Sequence, residues 1–332
     1  MPSAISTPPT VEARDFAPIP TATTPKRKII IFSDFDGTIS MQDTGHLLFD
    51  SPYGRGERRR TLLDEQIKSG ERTFKDASEE MYASLNVPFD DGFELMSGQL
   101  TLDPGFQTFH KFCLRNQIPF HVISAGLKPV LRKVLDEFLG EEESATINVV
   151  ANEVEVSKGG KWKAVWKDGE SEMGHDKAKS IKREVVNSQQ QRQQQQDGDG
   201  GGDQVPLIVF IGDGVSDLPA AREADVLFAR KGLRLEGYCV EHGIKYVPFD
   251  SFADVQRSLE GVMKEDEEKT GGKGKPVRFN PRANMWRRMS SQRGVERCVV
   301  MSPTQEERMF LWPETFTQLK VPGEAAMGKV VV

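Results

Sequence analysis

The chain has 332 residues, of which 37% are hydrophobic, and a formal net charge of −6, so it can bury a sizeable core and still carry polar tails. The acidic balance argues against a general nucleic-acid-binding protein, which presents a basic face. No apolar stretch is long enough to span a bilayer, and three widely spaced cysteines favour reduced thiols in a cytoplasmic protein.

The N-terminal segment precedes a strand that ends in acids. Residues 1–27 are rich in Ser, Thr and Pro and lack the apolar region of a secretory signal, which predicts a disordered leader. The apolar, β-branched run that follows is typical of a strand buried on both faces, and it ends at Asp34, Asp36 and Thr38. Buried carboxylates need a cation or a proton, so the sequence predicts a metal-assisted carboxylate site at this strand end.

Helical spacing of apolar residues dominates the next segment. Residues 42–100 are predicted to form a helical cap inserted after the first strand, over its carboxyl end. Residues 28–41 and 101–263 are predicted to form the core. There, strands alternate with helices, which indicates an α/β fold with a doubly wound parallel sheet. The later strands are predicted at 119–124, 146–156, 205–211, 226–229 and 244–248.

Two further segments have little apolar periodicity. Residues 187–204, a Gln tract followed by Gly and Asp, are predicted to form a low-complexity disordered loop within the core. Residues 264–332 are predicted to be a tail, and no structure is assigned to it. The sequence leaves the oligomeric state open.

Four pieces of the core carry polar residues at strand ends or helix starts. They are Asp34-Phe35-Asp36-Gly37-Thr38, Ser124, Lys177 and Gly212-Asp213-Gly214-Val215-Ser216-Asp217. In this order they resemble the four motifs of the haloacid dehalogenase (HAD) superfamily of phosphatases, over roughly residues 28–263. The helical insertion is similar to the C1 cap of that superfamily. The helical cap and the last motif together resemble the phosphoserine-phosphatase branch, which also includes the enolase-side phosphatases of methionine salvage, phosphocholine-type phosphatases and fungal polyol-phosphate phosphatases.

The resemblance implies a covalent route for phosphoester hydrolysis. Asp34 would be the nucleophile that forms a phosphoaspartyl intermediate. Asp36 would protonate the leaving alkoxide and then deprotonate the attacking water. An Asp at position 36 favours phosphoester hydrolysis or phosphoryl transfer over dehalogenation.

The remaining motif residues would bind metal and phosphate. Mg²⁺ suits hard oxygen ligands, and the implied ligands are Asp34, the Asp36 backbone carbonyl, Asp213 and Asp217, the last of which could instead orient Lys177. The predicted phosphate-binding residues are Thr38, Ser124, Gly126 and Lys177. Lys179 and Lys182 are close enough in sequence to replace Lys177, and His175 is expected to be a loop residue without a metal role.

Substrate choice should depend on the cap. Asp43 stands where the resembled serine phosphatases carry an acid that meets the substrate ammonium, whereas the helix predicted at 73–85 lacks their carboxylate-binding arginine. The arginines at 55 and 58–60 could bind a second anionic group or form a solvated helix face. We therefore expect a small phosphomonoester without a carboxylate: a polyol, sugar or amino-alcohol phosphate, with pyridoxal phosphate still open. The alternatives are a phosphoserine phosphatase, a phosphotransferase or mutase, and a non-catalytic scaffold.

Overall fold

The structure, a computed structural model, describes residues 29–195 and 206–270. The predicted leader lies outside these residues, as do the end of the predicted loop and the tail from residue 271 onward. None of the helices in the described ranges combines the length and apolar character needed to cross a bilayer.

Seven strands form the sheet. Their bounds are β1 Ile29–Ser33, β2 Phe120–Leu127, β3 Asn148–Val156, β4 Trp162–Val165, β5 Leu207–Gly212, β6 Val226–Arg230 and β7 Val247–Phe249. The strand order is β4-β3-β2-β1-β5-β6-β7, and every neighbouring pair is parallel except β3 and β4. This arrangement confirms the doubly wound parallel sheet.

Helices cover both faces of the sheet. Their bounds are α1 Thr44–Asp50, α2 Glu57–Lys68, α3 Phe74–Ser84, α4 Phe89–Ser97, α5 Phe106–Arg115, α6 Lys128–Leu139, α7 Glu141–Ser144, α8 Lys177–Gln195, α9 Leu218–Glu223, α10 Arg234–Glu241 and α11 Phe252–Thr270. Successive β1 side chains point to opposite faces, so Ile29 and Ile31 belong to one buried cluster and Ile30 and Phe32 to the other. Central strand β1 is therefore buried on both sides, as its continuous apolar run predicts.

The helical cap comprises α1–α4 and follows the first strand, as expected. The chain enters and leaves it along two adjacent segments, where the Met41 amide donates to the Thr101 carbonyl (2.9 Å) and the Asp103 amide to the Ile39 carbonyl (2.9 Å). The far side of the cap is tied to the β3–β4 hairpin, because the Val87 amide donates to the Gly160 carbonyl (2.9 Å). The exact boundary of the cap at residues 42–100 stays a prediction.

Several boundaries differ from those expected, and β2 continues to Leu127 rather than ending at residue 124. The predicted loop at 187–204 begins too early, because α8 continues through Gln195; glutamine is a good helix former, and no Gly or Pro interrupts the tract before Gly198. Helix α11 continues to Thr270, so residues 264–270 of the predicted tail, to which no structure was assigned, are helical. The last strand is Val247–Phe249 rather than residues 244–248, since residues 244–246 lie outside the ladder with β6.

Candidate active site

Three adjacent parallel strands bring the predicted motifs together. Strand β1 lies between β2 and β5. Asp34 and Asp213 directly follow the carboxyl ends of β1 and β5, and Ser124 lies in the second half of β2, where its pairing with β3 is interrupted. In open α/β sheets this edge is where ligands bind. The site is thus assembled from segments almost 180 residues apart in the chain.

Lys177 is buried between two of the predicted acids. Its Nζ lies 2.7 Å from Asp34 Oδ2 and 2.7 Å from Asp217 Oδ1, and the lysine is only 2% exposed. Burial works against its charged form, but Asp217 and Asp34 outweigh it and raise the pKa of Lys177. The alternative lysines, Lys179 and Lys182, instead form exposed ion pairs with Asp168 and Glu223. Burial therefore identifies Lys177 as the site lysine.

Three carboxylates crowd around this lysine. Oxygen atoms of Asp34, Asp213 and Asp217 lie within 4.8 Å of one another. Burial, and then the neighbouring Asp217, raises the pKa of Asp34 well above its usual range and that of Asp213 to about 7. One lysine cannot balance three carboxylates, and a set of hard oxygen donors at this spacing fits Mg²⁺.

Thr38 and Gly37 fix the Asp213 carboxylate. The Thr38 hydroxyl donates to Asp213 Oδ1 (2.7 Å), so in this structure its proton is bonded to this acid and is not directed at an open phosphate position. Gly37 has φ +75°, and a Cβ there would lie 2.4 Å from Asp213 Oδ2. Only glycine allows both the backbone conformation and this close approach.

The next motif acid, Asp36, is bonded to the cap rather than to Lys177. One of its oxygens accepts a hydrogen bond from the Thr44 amide (2.8 Å) at the start of α1, which joins the acid to the cap. Burial, then the charge on Asp43, raises the pKa of Asp36 to about 7. A carboxyl group with this pKa can both give and take a proton near neutral pH. Its predicted metal contact, through the backbone carbonyl, stays a prediction.

The loop after β2 lies against Asp36. A Cβ on Gly126 would lie 3.1 Å from Asp36 Oδ2 and 3.2 Å from Ser124 Oγ. The Ser124 hydroxyl accepts a hydrogen bond from the Gly126 amide (2.9 Å), so its own proton stays available for donation to a ligand. Ser124 and Gly126 therefore lie where the sequence predicts phosphate-binding groups.

On the cap side the charged residues mostly pair with each other. Arg59 and Arg72 both contact Glu80, whereas Arg60 pairs with Asp50 (2.8 Å) and Asp64 (3.2 Å). The remaining two arginines of the predicted group, Arg55 and Arg58, are exposed. The structure thus favours the solvated-face interpretation of this group.

Besides Thr44, the polar cap residues Asp43 and Tyr82 lie near Asp36. Asp43 caps α1 by accepting the His46 amide (2.8 Å). Burial, then Asp43 and Asp36, raises the pKa of Tyr82. The Tyr82 ring packs edge-on against Phe49 with 4.9 Å between ring centroids, and its hydroxyl has no hydrogen-bond partner among the described residues.

Four buried polar residues near the motifs were not predicted from the sequence: His175, Asn152, Arg230 and Asp103. His175 does lie in a loop, as expected, but it is 2% exposed and bonded at both ring nitrogens. The one local signal was its position two residues before Lys177. Arg230 reaches the Thr38 carbonyl (2.6 Å) and Asp103 (2.7 Å) across long sequence separations, for which the sequence carries no local signal.

Comparison with known proteins identifies the class. A model of the haloacid dehalogenase-like hydrolase family matches residues 31–222. The chain belongs to this family of hydrolases, as the four motifs predict.

The chain is also similar to individual proteins of known sequence and structure. The chain is 34% identical over 240 residues to Pdp3-interacting factor 1 of Schizosaccharomyces pombe, covering 72% of this chain and 97% of the relative. It is also 34% identical over 236 residues to the polyol phosphate phosphatase PYP1 of Saccharomyces cerevisiae, covering 71% and 94%. A structure of phosphoserine phosphatase with a phospho-aspartyl intermediate analogue shares the fold, with TM-score 0.52, 14% identity and coverage of 71% and 99%.

Proposed function

We propose that this chain hydrolyses a small phosphomonoester without a carboxylate, namely a polyol, sugar or amino-alcohol phosphate, with Mg²⁺ and a phosphoaspartyl intermediate on Asp34. The observation that carries the proposal is the burial of Asp34 beside Lys177, Asp213 and Asp217, with Asp36 two residues away at a pKa of about 7. A phosphatase role also agrees with the family and with the polyol phosphate phosphatase relative.

In the first half-reaction Asp34 is the nucleophile. A carboxylate oxygen of Asp34 attacks phosphorus, the ester P–O bond breaks, and Asp36 gives its proton to the departing alkoxide. Asp34 is oriented for this step by hydrogen bonds from the Phe35 amide (2.7 Å) and from Lys177. The positive charge of Lys177 favours the ionised nucleophile.

In the second half-reaction water replaces the substrate. Asp36, now ionised, takes a proton from water, the water oxygen attacks phosphorus, and the bond to Asp34 breaks to release phosphate. The Ser124 hydroxyl and the amides near Gly126 donate to the phosphoryl oxygens in both steps. Mg²⁺, held by Asp34, Asp213 and the Asp36 carbonyl with Asp217 behind them, would offset the repulsion between carboxylate and phosphate.

The cap supports the substrate class. Arg59, Arg60 and Arg72 are occupied by cap carboxylates, so they do not offer a site for a substrate carboxylate. Asp43, near Asp36, would repel such a group and accept hydrogen bonds from hydroxyl or ammonium groups. A neutral or cationic leaving group therefore suits this side of the site better than phosphoserine.

The test is phosphate release from a panel of phosphomonoesters with and without Mg²⁺. The panel contains polyol, sugar and amino-alcohol phosphates, pyridoxal phosphate and phosphoserine, and Asp34→Asn is the control. We expect release that stops on chelation and in the variant, with polyol phosphates ahead of phosphoserine. Equal turnover of both would contradict the proposed substrate class. No release from any compound by the folded protein would instead favour a phosphotransferase or a scaffold.

A further inference from the structure

The segment that carries Ser124 bulges out of the sheet. In the β2–β3 ladder Ile123 pairs with Val150 and Leu127 with Asn152, so three residues of β2 oppose one of β3. The bulged residues are Ser124, Ala125 and Gly126. Such bulges re-aim side chains at the cost of ladder hydrogen bonds, so their carbonyl groups need other partners.

Two buried side chains supply those partners. Asn152 Nδ2 donates to the Ala125 carbonyl (2.7 Å), and His175 Nδ1 donates to the Ser124 carbonyl (2.6 Å). Asn152 is fully buried and His175 nearly so. Consecutive carbonyls of the bulge are therefore hydrogen-bonded to buried side chains, while the Gly126 amide donates to Ser124 Oγ and a Cβ on Gly126 would lie 3.1 Å from Asp36 Oδ2.

His175 also contacts the helix that begins with Lys177. Its Nε2 lies 2.8 Å from Ser180 Oγ, in the first turn of α8. A carbonyl oxygen only accepts, so the proton is on Nδ1, and in the neutral ring Nε2 accepts from the Ser180 hydroxyl. Burial lowers the pKa of His175 to about 4, which keeps the ring neutral. One imidazole thus bridges the Ser124 bulge and the helix of the site lysine.

We propose that His175 and Asn152 are positioning residues of this enzyme: together they anchor the Ser124–Gly126 bulge, and His175 sets its spacing from Lys177 on α8. Neither side chain touches the reacting atoms. Their effect is to hold the phosphate-binding donors in place before the substrate arrives, so that no reorganisation is needed in the transition state. This inference rests on the proposed function, because it assigns phosphate binding to the bulge.

Another buried histidine offers a matched control. His121 lies near the start of β2, the strand that carries the Ser124–Gly126 bulge. It is also largely buried, and its ring is stacked on that of Phe32 with 5.0 Å between ring centroids. Its Nδ1 meets the Asn148 side chain (3.0 Å) and not a carbonyl of the bulge. If His175, like His121, contributed only to stability, replacing either histidine would have similar effects on phosphate binding.

The experiment compares inorganic phosphate binding in Mg²⁺ buffer, by calorimetry, with kcat and KM for the best substrate. His175→Phe keeps a ring but donates nothing, His175→Asn keeps a donor near the Nδ1 position, and Ser180→Ala removes the other end of the bridge. We expect His175→Phe to weaken phosphate binding and lower kcat/KM by roughly 10- to 100-fold, the usual range for orienting residues. His175→Asn should restore most of this loss, and Ser180→Ala should cost less than His175→Phe.

His121→Phe should lower thermal stability without changing phosphate affinity, and Asn152→Ala should weaken it as His175→Phe does. A folded His175→Phe protein with wild-type phosphate affinity and kinetics would overturn the inference, as would an equal loss in His121→Phe. If His175→Phe does not fold, His175→Gln, whose amide reaches past the Nδ1 position, is measured against His175→Asn in its place. Absence of hydrolysis by the wild type overturns the proposed function, whereas the phosphate affinities decide the role of His175 independently.

Discussion

The strand-end site and the cap handle charge in opposite ways. At the strand ends, Asp34, Asp213 and Asp217 share one buried lysine, so negative charge is in excess. In the cap, arginines and carboxylates pair with each other at partly exposed positions. Buried excess charge is costly, whereas exposed balanced pairs cost and contribute little.

This difference separates chemistry from specificity. The strand-end site has more carboxylates than cations, so a bound divalent cation would stabilise it and would also allow an anionic phosphate to approach. The charges of the cap are already paired, so we expect its contribution to substrate choice to come from hydrogen bonding and shape near Asp43 and Tyr82. Variants in the two regions should therefore have effects of different size and kind.

The largest expected effect is the loss of activity in Asp34→Asn. The substitution removes the nucleophile of the proposed covalent route, so kcat should fall by about 10⁴-fold or more, given that enzymes accelerate such reactions by many orders of magnitude. Asp43→Asn, a carboxylate change on the cap side, should alter KM and the substrate order with a much smaller loss of kcat. Phosphate-release kinetics of the two variants measure the contrast, and similar losses of kcat would contradict it.

The next largest effect concerns the buried ion pair between Arg230 and Asp103, which adjoins the first motif at Thr38. Arg230 is bonded to the Thr38 carbonyl (2.6 Å), Asp103 (2.7 Å) and the Asp250 carbonyl (2.7 Å). Arg230→Met leaves the Asp103 carboxylate buried without its cation, and we expect the free energy of unfolding to fall by about 3–5 kcal/mol. Lys231→Met, which breaks the neighbouring exposed pair with Asp250, is the control and should change the free energy of unfolding far less than Arg230→Met does. If denaturant unfolding showed equal losses of unfolding free energy in the two variants, burial would not determine how much each ion pair contributes to stability.

The sequence predicts the parts of the site that depend on local pattern. The apolar run of β1 and its terminal acids give both the strand and its place at the ligand-binding edge, and the family motifs give Ser124, Lys177 and Asp213. Arg230 and Asp103 are 127 residues apart, and the partners of His175 depend on a bulge in another strand. Such contacts require three-dimensional packing, which no local periodicity encodes. The choice of Lys177 over Lys179 likewise depends on burial alone.

An effect of intermediate size is expected on the pH dependence of stability, because His175 is buried as a neutral group, unlike the exposed charges of the cap. The pKa of His175 is about 4 in the folded chain, below its value in the unfolded chain. The unfolded state therefore binds the proton more tightly, and the stability from neutral His175 is complete above about pH 6.5 and is lost as the pH falls towards about 4.

Between about pH 7.5 and about pH 5, this group should cost the wild type about 2 kcal/mol of unfolding free energy that His175→Asn does not lose. Because the acids titrate in both proteins, the difference between the two pH profiles is the quantity to measure by urea unfolding. Parallel profiles would mean that the folded protein accepts a proton on His175 as readily as the unfolded chain.

A smaller effect is expected from the cap residue that adjoins Asp36. Tyr82→Phe removes the hydroxyl of a largely buried residue, which has no hydrogen-bond partner among the described residues. If this hydroxyl bonds a substrate hydroxyl, KM for polyol phosphates should rise by up to about tenfold, since one hydrogen bond contributes about 1 kcal/mol. Inorganic phosphate affinity should stay unchanged, because inorganic phosphate lacks the leaving group that this hydroxyl would contact. A parallel loss for both ligands would place the hydroxyl at the phosphate rather than at the leaving group.

The smallest effect is expected from Glu80→Gln, which frees Arg59 and Arg72 without changing the size of the side chain. The two arginines lower the pKa of Glu80, but the pairs are partly exposed, so the free energy of unfolding should change by less than about 1 kcal/mol. If these arginines form a solvated face, the order of polyol phosphates over phosphoserine should also persist. Increased turnover of phosphoserine by Glu80→Gln would instead show that Glu80 keeps the arginines away from a substrate carboxylate, and the cap would then take part in charge selection after all.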